Sequence, residues 1–239
     1  MKKNLKILAM IPARIGSKRL KYKNLVLINN KPLISFAINA AKKSKIFDEI
    51  FINSDHNIFS KVADRYKVNF YKRPSRLGGS KIRSDIVVYD FIKKNNCDIL
   101  VWINPIAPLQ SQNEINEVVN YFIKKKYDSL ITTNKKQVHA KYLNKPLNYK
   151  KNSPFLKTQN LNYIELLVYS LMMWNTKLFL KSFEKFGHGI LCGKSGNYIV
   201  SDISGIIVKK ENDLKLVKAI LDIKKNKSKL KYDKIINNL

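Results

Sequence analysis

Short apolar runs alternate with segments of helical periodicity along the first 133 residues of the chain. Five consecutive apolar residues, Ile7 to Ile11, predict a strand covered on both faces, and Pro12 is expected to end it because proline lacks a backbone donor. Ser111 and Glu114 form a capping box, which predicts the start of a helix that runs to about residue 125. The other elements predicted here are helices at 32–43, 58–66 and 84–93, and strands at 49–53, 68–71, 99–103 and 129–133.

This alternation of strands and helices predicts an α/β fold with a three-layer, Rossmann-like sheet, right-handed crossovers and loops gathered at one edge. Residues 134–167 interrupt the pattern, because they are polar and lysine-rich and carry Pro146 and Pro154. We interpret them as an excursion from the sheet. A strand at 169–174, a strand at 205–208 and an amphipathic helix from Glu211 are expected beyond it.

The loop after the first strand concentrates positive charge. Gly16 allows the backbone to approach a ligand closely, and five cationic side chains surround it in the sequence. Open α/β sheets bind ligands at the carboxyl ends of their strands, so the position favours an anion such as a phosphate. An ordinary solvated basic loop in a lysine-rich protein is the alternative. The five cations are Arg14, Lys18, Arg19, Lys21 and Lys23.

Composition limits the other classes of protein. The 239 residues are 45% hydrophobic, enough for one substantial core, so we expect a single domain over residues 1–239. The formal net charge is +29, which favours salt-sensitive binding of polyanions, but the lysines are scattered and not clustered with aromatic residues. A specific function in nucleic-acid binding is therefore not expected.

The apolar runs and the cysteines bear on the compartment. No run approaches the roughly twenty residues that span a bilayer, and the run from Ile7 to Ile11 is too short for a signal peptide. Cys97 and Cys192 are far apart and lack metal-ligand or redox spacing, so two reduced thiols are expected. A cytoplasmic protein without a membrane partner is the prediction. Trp102 is expected in the core.

A family resemblance emerges from residues 11–24, which read I-P-A-R-I-G-S-K-R-L-K-Y-K-N. This segment resembles the nucleotide-binding signature I-P-A-R-x-G-S-K-x-I-P-x-K-N of the acylneuraminate cytidylyltransferase family, and it is most similar to divergent bacterial members. The resemblance implies a nucleotidyltransferase sheet in which Arg14, Lys18 and Lys23 cradle the triphosphate of CTP. It also implies nucleotide contacts from Ala13, Gly16, Ser17 and Asn24. Lys21 replaces the usual proline.

Further segments resemble the family in the same order. Residues 30–34 resemble its G-K-P-L-I, residues 52–55 its V-S-T-D, and residues 72–77 its R-P-x-x-L segment. The resemblance implies nucleotide contacts from Arg73, Ser80 and Ser84. Residues 104–110 resemble Q-P-T-S-P-L-R, with Asn104 and Gln110 in place of glutamine and arginine. Asparagine is about one methylene shorter than glutamine, so its contacts to the nucleotide are expected to differ.

The excursion is implied to be a dimerisation and sugar-binding subdomain over residues 134–167. The resemblance makes His139, Lys141, Lys157 and Gln159 candidates for binding an acidic sugar, although a lone loop histidine is more often a surface residue. Leu166 and Leu167 stand where the family has asparagine and glycine. The chain therefore departs from the family's sugar pocket.

The metal site is the sharpest departure. The family binds Mg²⁺ through two aspartates in a D-I-D-T-E-x-D-L segment near its carboxyl end. Alignment on Glu211–Leu214 places Ile207 and Lys209 at the metal positions, so that Lys209 either supplies cationic charge or is an ordinary surface lysine. Alignment on Asp202 keeps one ligand at the cost of an insertion. The first is favoured and the second stays open.

The resemblance implies transfer of CMP from CTP to an acidic 2-keto sugar, such as sialic acid or a related nonulosonic acid, with release of pyrophosphate. Such an enzyme would be a cytoplasmic homodimer that supplies cell-surface polysaccharide biosynthesis, with Mg²⁺ as cofactor. Two alternatives remain at this point: a catalytically impaired relative that binds nucleotide or sugar, and a polyanion-binding protein.

Overall fold

The computed structural model describes residues 5–226, and it contains eleven strands and six α-helices in that range. The strands are β1 (Ile7–Ala13), β2 (Leu27–Ile28), β3 (Lys31–Pro32), β4 (Glu49–Ser54), β5 (Asn69–Lys72), β6 (Ile99–Ile103), β7 (Ser129–Lys136), β8 (Lys141–Tyr142), β9 (Lys145–Pro146), β10 (Ile164–Asn175) and β11 (Ser195–Ile199). The helices are α1 (Ile34–Ser44), α2 (Ile58–Tyr66), α3 (Ser84–Lys94), α4 (Gln112–Lys125), α5 (Thr176–Phe186) and α6 (Glu211–Asn226).

Seven of the described strands form one central sheet in the order β11-β7-β10-β6-β1-β4-β5. Strands β6, β1, β4 and β5 run parallel, as the alternation of strands and helices predicts. Strand β10 runs antiparallel between β6 and β7, and β11 pairs in parallel with β7. The α/β fold class is confirmed, with a mixed sheet in place of a purely parallel one.

Helices cover both faces of the sheet because the buried strands are apolar on both sides. In β1, Ile11 and Ala13 contribute to the core under α1, α2 and α4, whereas Leu8 and Met10 contribute to the core under α3 and α5. All four side chains are at most 1% exposed. Helix α6 packs on a third, smaller cluster that includes Val208 and Leu109. The result is the predicted three-layer arrangement.

Two predictions about strands are wrong. Pro12 does not end β1, which pairs with β4 as far as Ala13, whereas its pairing with β6 stops at Met10. A proline is tolerated there because one side of the strand no longer has a partner. The predicted strand at 205–208 is irregular; Val208 is buried and donates its N–H to the carbonyl of Ile106 (2.8 Å). Its apolar residues reflect packing and not sheet pairing.

Helix α4 begins as predicted, but its cap is only half of a capping box. The Ser111 hydroxyl accepts the backbone N–H of Glu114 (3.1 Å). Glu114 Oε1 accepts the backbone N–H of Ser201 (3.0 Å). The glutamate therefore ties the segment after β11 to the start of α4, a role that local sequence does not indicate.

The excursion between β7 and β10 carries the small hairpin of β8 and β9. The imidazole of His139 stacks on Phe155 with 3.8 Å between ring centroids. Several large apolar side chains are exposed here, among them Leu143 (79%) and Phe155 (77%). No helix in the described range is long and apolar enough to cross a membrane.

Candidate functional site

Four segments meet at the carboxyl edge of the parallel strands. They are the loop after β1, the segment after β5, the turn after β6 and the first turn of α3. The strand order places β1 next to both β4 and β6, so these loops converge above the middle of the sheet. This edge is where open α/β sheets bind ligands.

The loops enclose a cavity of about 320 Å³, which we call the cationic cavity. Among the described residues, four cationic side chains and no aspartate or glutamate line it. Asparagine and serine side chains complete the polar part of the wall. A pocket with this balance of charge is suited to a polyanion, because the ligand would neutralise the mutual repulsion of the cations. The lining residues that carry these groups are Arg14, Arg19, Lys23, Arg73, Asn24, Ser80, Ser84 and Asn104.

Burial and the positive charge of this cavity lower the pKa of Lys23. The pKa of Lys23 is lowered to about 8, first by partial burial and then by the charges of Arg19, Arg14 and Lys209, whereas Asp213 opposes the shift. A bound anion would favour the charged lysine and raise that pKa. Asp213 itself accepts the backbone N–H groups of Lys209 (2.7 Å) and Lys210 (2.9 Å) at the start of α6.

Arg73 is held from below by polar groups at the end of β4. Its side chain is 5% exposed and lies 3.6 Å from the Asp55 carboxylate, while Nη1 donates to Asn53 Oδ1 (3.4 Å). Asp55 Oδ1 also accepts the backbone N–H of Ile15 (3.3 Å). A side chain at Gly78 would clash with the Asp55 carboxylate, which explains the glycine there. Asp55 therefore joins the loop after β1 to Arg73.

Unpaired polar atoms cluster at the same cavity. Among the described residues, Asn24 Oδ1, Arg73 Nε and Trp102 Nε1 are buried without a hydrogen-bond partner, and all three residues line the cationic cavity. Buried polar groups in native proteins are nearly always paired, so a concentration of exceptions needs an explanation. A bound ligand would explain them, because it would reorder these side chains and allow their polar atoms to find partners.

The structure brings only part of the predicted nucleotide set to the cavity wall. Arg14, Lys23 and Arg73 line it together with four predicted polar residues, Asn24, Ser80, Ser84 and Asn104. The rest of the set lies in or beside the loop after β1 without lining the cavity: Ala13 is fully buried, Gly16 and Lys18 are exposed, and Ser17 donates its backbone N–H to Ile15 (3.0 Å).

The predicted set of nucleotide-binding residues omits three contributors. Arg19, one of the five cations of the loop, lines the cavity although it stands at a variable position of the signature, and Asp55 contacts Arg73 from the end of β4. Trp102 is only partly buried and lines the cavity, so its assignment to the core is wrong in part. The concentration of positive charge in the loop indicates a ligand-binding role for Arg19. Asp55 directly follows β4, and this position places it at the ligand-binding edge of the sheet.

A second cavity of about 480 Å³, which we call the side cavity, adjoins the first. Ser84, Trp102 and Asn104 line both cavities. A larger cavity of about 520 Å³ lies at the amino ends of β1 and β6, around Cys97 and Asp98. That edge is opposite the loops, and the cations of the cationic cavity do not line it.

The predicted sugar-binding residues lie away from both site cavities. His139, Lys141, Lys157 and Gln159 belong to the excursion, and they line neither the cationic cavity nor the side cavity. The Gln159 carbonyl accepts a hydrogen bond from Gln137 Nε2 (3.0 Å). A role for these four side chains in sugar binding stays a prediction.

The described residues do not fit a metal ion held by the protein. Asp202 is exposed and pairs with Lys136 (2.7 Å), and it does not line the cationic cavity. Ile207 and Lys209, the other candidates, offer no carboxylate. Within residues 5–226 there is no group of three or more His, Cys, Asp or Glu side chains placed to bind a metal.

Comparison with known proteins supports the interpretation of this edge. The family model described as cytidylyltransferase matches residues 8–163, more than half of the chain. The N-acylneuraminate cytidylyltransferase of Escherichia coli is 26% identical over 98% of this chain and 56% of its own length. The pseudaminic acid cytidylyltransferase of Campylobacter jejuni is 37% identical over 48% of this chain and 44% of its own.

Solved structures share the fold. The structure of CMP:2-keto-3-deoxy-manno-octonic acid synthetase complexed with CTP aligns with a TM-score of 0.70 at 13% identity, over 92% of this chain and 99% of that one. The chain spans about half the length of the two curated relatives above. Because the family model covers residues 8–163, which include the four parallel strands β1, β4, β5 and β6 almost completely, the cationic loop and the segment of Arg73, this chain belongs to the cytidylyltransferase family.

Proposed function

We propose that the protein transfers CMP from CTP to an acidic 2-keto sugar of the sialic acid or nonulosonic acid type and releases pyrophosphate. One observation carries the proposal: in a member of the cytidylyltransferase family, a cavity that residues 5–226 line with four cations and no carboxylate lies at the carboxyl edge of the sheet. The relatives named as N-acylneuraminate and pseudaminic acid cytidylyltransferases support the class of acceptor.

The reaction displaces pyrophosphate at one phosphorus atom. An acceptor hydroxyl attacks the α-phosphorus of CTP, a new P–O bond forms, and the bond from the α-phosphorus to the bridging oxygen breaks. The bonding electron pair leaves with pyrophosphate, and the hydroxyl proton is released. Most of the catalysis in such a reaction comes from alignment and from neutralising the charge on the phosphates.

The side chains divide these tasks by position. We assign neutralisation of the triphosphate to Arg14 and Lys23, which lie in the loop after β1. Arg73, fixed from below by Asp55, supplies a third positive charge from the segment after β5. Asn24, Ser80, Ser84 and Asn104 offer hydrogen bonds to the nucleoside. Lys18 is exposed on the same loop and stays a prediction.

Family membership implies a divalent metal, and Mg²⁺ is the ion that the resemblance suggests. When bound to a nucleotide, such an ion supplies positive charge to the phosphates. Because the described carboxylates do not fit a protein-held site, the charge-neutralising roles above are assigned to arginine and lysine side chains alone.

The function is tested by measuring pyrophosphate release from CTP with a panel of nonulosonic and octulosonic acids. Release that depends on one acid, with formation of the CMP-linked product, is the expected result. CTP binding without release for any acid would favour the impaired relative. Equal binding of all nucleotides with a steep salt dependence would indicate a polyanion-binding protein.

The affinity for CTP is expected to fall as pH rises through about 8, because Lys23 loses its proton there in the free protein. The charged lysine binds the triphosphate, so the loss is about tenfold per pH unit above that point while Lys23 stays protonated in the complex. Isothermal titration calorimetry between pH 7 and 9.5 measures it.

Lys23→Arg is the matched control for this pH profile. A guanidinium keeps its charge throughout the range, so the variant should bind CTP with little dependence on pH. An unchanged slope in Lys23→Arg would show that another group titrates. A flat profile in the unsubstituted protein would contradict a role for Lys23 in phosphate binding.

The exposed excursion supports a homodimer. Four large side chains of the excursion are 60–79% exposed in one copy of the chain: Tyr142, Leu143, Leu147 and Phe155. Exposed apolar surface concentrated in one segment is typical of an interface. We propose that a second copy of the chain covers this surface. Sedimentation velocity would detect the dimer, and a monomer at micromolar concentration would contradict the proposal.

The cysteines bear on the compartment of the enzyme. Cys97 and Cys192 are free and buried, which suits a reducing compartment, and we place the enzyme in the cytoplasm.

A further inference from the structure

The side cavity shares a wall with the cationic cavity. Ser84, Trp102 and Asn104 line both, so a ligand in one lies directly beside a ligand in the other. With about 480 Å³, the side cavity has room for a sugar acid. Given the proposed function, on which this inference rests, the acceptor must approach the α-phosphate from such a neighbouring space.

The lining of the side cavity has an apolar part. Trp102, Met172 and Ile190 contribute to it, and Met172 is 5% exposed. Apolar surface of this kind favours methyl or methylene groups of a ligand. Hydroxyl groups placed against it would lose their hydrogen bonds to water without replacement.

A fixed cation lies on another part of the same lining. Arg83 donates from Nε and Nη2 to the two oxygens of Asp85 (3.0 and 2.9 Å), and it also donates to the carbonyl of Gly187. The Asp85 side chain is 6% exposed, whereas that of Arg83 is 58% exposed. The buried carboxylate therefore orients an accessible guanidinium, which suits a carboxylate ligand.

The backbone near this cavity is irregular for a strand. The register of β10 against β7 shifts between Leu167 and Met172, and Tyr169 adopts a positive φ of 54°. The Tyr169 carbonyl accepts Asn104 Nδ2 (3.1 Å), so the turn after β6 is tied to the bulge. Tyr169 remains 44% exposed and lines the cavity.

We propose that the side cavity binds the acceptor, and that it selects a keto acid with apolar substituents, such as N-acyl or deoxy methyl groups, over a fully hydroxylated one. Arg83 binds the carboxylate of this acid. Trp102, Met172 and Ile190 contact its apolar substituents.

Ile190→Thr tests the selection, with Leu191→Thr as the matched control. Leu191 is the next residue, is 64% exposed and does not line the cavity. The Ile190 carbonyl still accepts Trp174 Nε1 (2.9 Å) in the variant, because that bond uses the backbone. The ratio of kcat/KM for N-acetylneuraminic acid to that for 3-deoxy-manno-octulosonic acid should fall about tenfold in Ile190→Thr and stay unchanged in Leu191→Thr.

Arg83→Gln tests the carboxylate contact, with the exposed Arg76→Gln as control. The KM for the acid should rise about tenfold in Arg83→Gln, whereas the KM for CTP should not change. An unchanged acid preference in Ile190→Thr, or equal changes in both KM values in Arg83→Gln, would overturn the inference.

Calorimetric binding of N-acetylneuraminic acid separates this inference from the proposed function. If no acid supports pyrophosphate release, the proposed function fails, but weaker binding of the acid in Ile190→Thr and Arg83→Gln would still support the side cavity. Undetectable binding to the unsubstituted protein, or binding equal in all variants, would overturn the inference.

Discussion

Replacing Arg14 by alanine is expected to lower the rate of CTP-dependent pyrophosphate release by about 100-fold. Arg14 lines the cationic cavity in the loop after β1, and its charge contributes to the lowered pKa of Lys23. Loss of one preorganised group that stabilises developing negative charge costs about two to three orders of magnitude in other enzymes. Steady-state kinetics with saturating acceptor measure the loss.

Arg65→Ala is the matched control for this experiment. Arg65 is an exposed arginine in α2 and does not line the cationic cavity, so its loss should leave the rate unchanged. Thermal unfolding of both variants should match that of the unsubstituted protein. A rate in Arg14→Ala above one third of the original would contradict the assignment of Arg14.

Asp55→Asn is expected to lower the free energy of unfolding by about 3 kcal/mol, because it leaves the Arg73 guanidinium buried without its counter-ion. Burial lowers the pKa of Arg73, and the Asp55 carboxylate opposes that shift. The variant also weakens the acceptor for the Ile15 N–H, so the loop after β1 should be less well positioned. Urea denaturation gives the stability, and the KM for CTP gives the positioning effect.

Asp202→Asn is the matched control, since it removes an aspartate from an ion pair that is exposed. The Asp202 and Lys136 side chains are 68% and 39% exposed, so we expect a change below about 1 kcal/mol. Because Asp202 does not line the cavity, the variant should bind CTP with the same affinity as the unsubstituted protein, both in the presence of Mg²⁺ and in the presence of a chelator. A loss of Mg²⁺ dependence in this variant would instead identify Asp202 as a metal ligand.

The parallel half of the fold was predictable because its elements carry local signals. The apolar run of β6 occupies residues 99–103 as predicted, and α2 matches its predicted range of 58–66. These strands are buried on both faces, which produces continuous apolar sequences. The cationic loop was recognisable for a similar reason, since its charges and its glycine are adjacent in sequence.

The other half of the sheet, which contains β10 and β11, depends on contacts between distant residues. The first part of β10 exposes Glu165, Leu166 and Leu167, so its sequence lacks the alternation that marks a strand. Strand β11 lies at the edge of the sheet and contains serine, glycine and asparagine, which have a low strand propensity. Strand β10 pairs with β7 and β6, and β11 pairs with β7, so both strands depend on partners that are distant in sequence.

The site was partly predictable for the same physical reason. Arg14 and Lys23 follow β1 in a continuous motif, whereas Asp55 acts on Arg73 across two neighbouring strands. The side cavity combines Arg83, Trp102 and Ile190, which are separated by up to about a hundred residues. No local sequence pattern indicates that these three residues line the same cavity.

A crystal structure of the protein with CTP tests the central claim most directly. We predict that the triphosphate lies in the cationic cavity, with phosphate oxygens within hydrogen-bond distance of Arg14 and Lys23. We also predict that the α-phosphate faces the wall formed by Trp102 and Asn104. A nucleotide bound elsewhere on the basic surface, with this cavity filled only by water, would contradict the account.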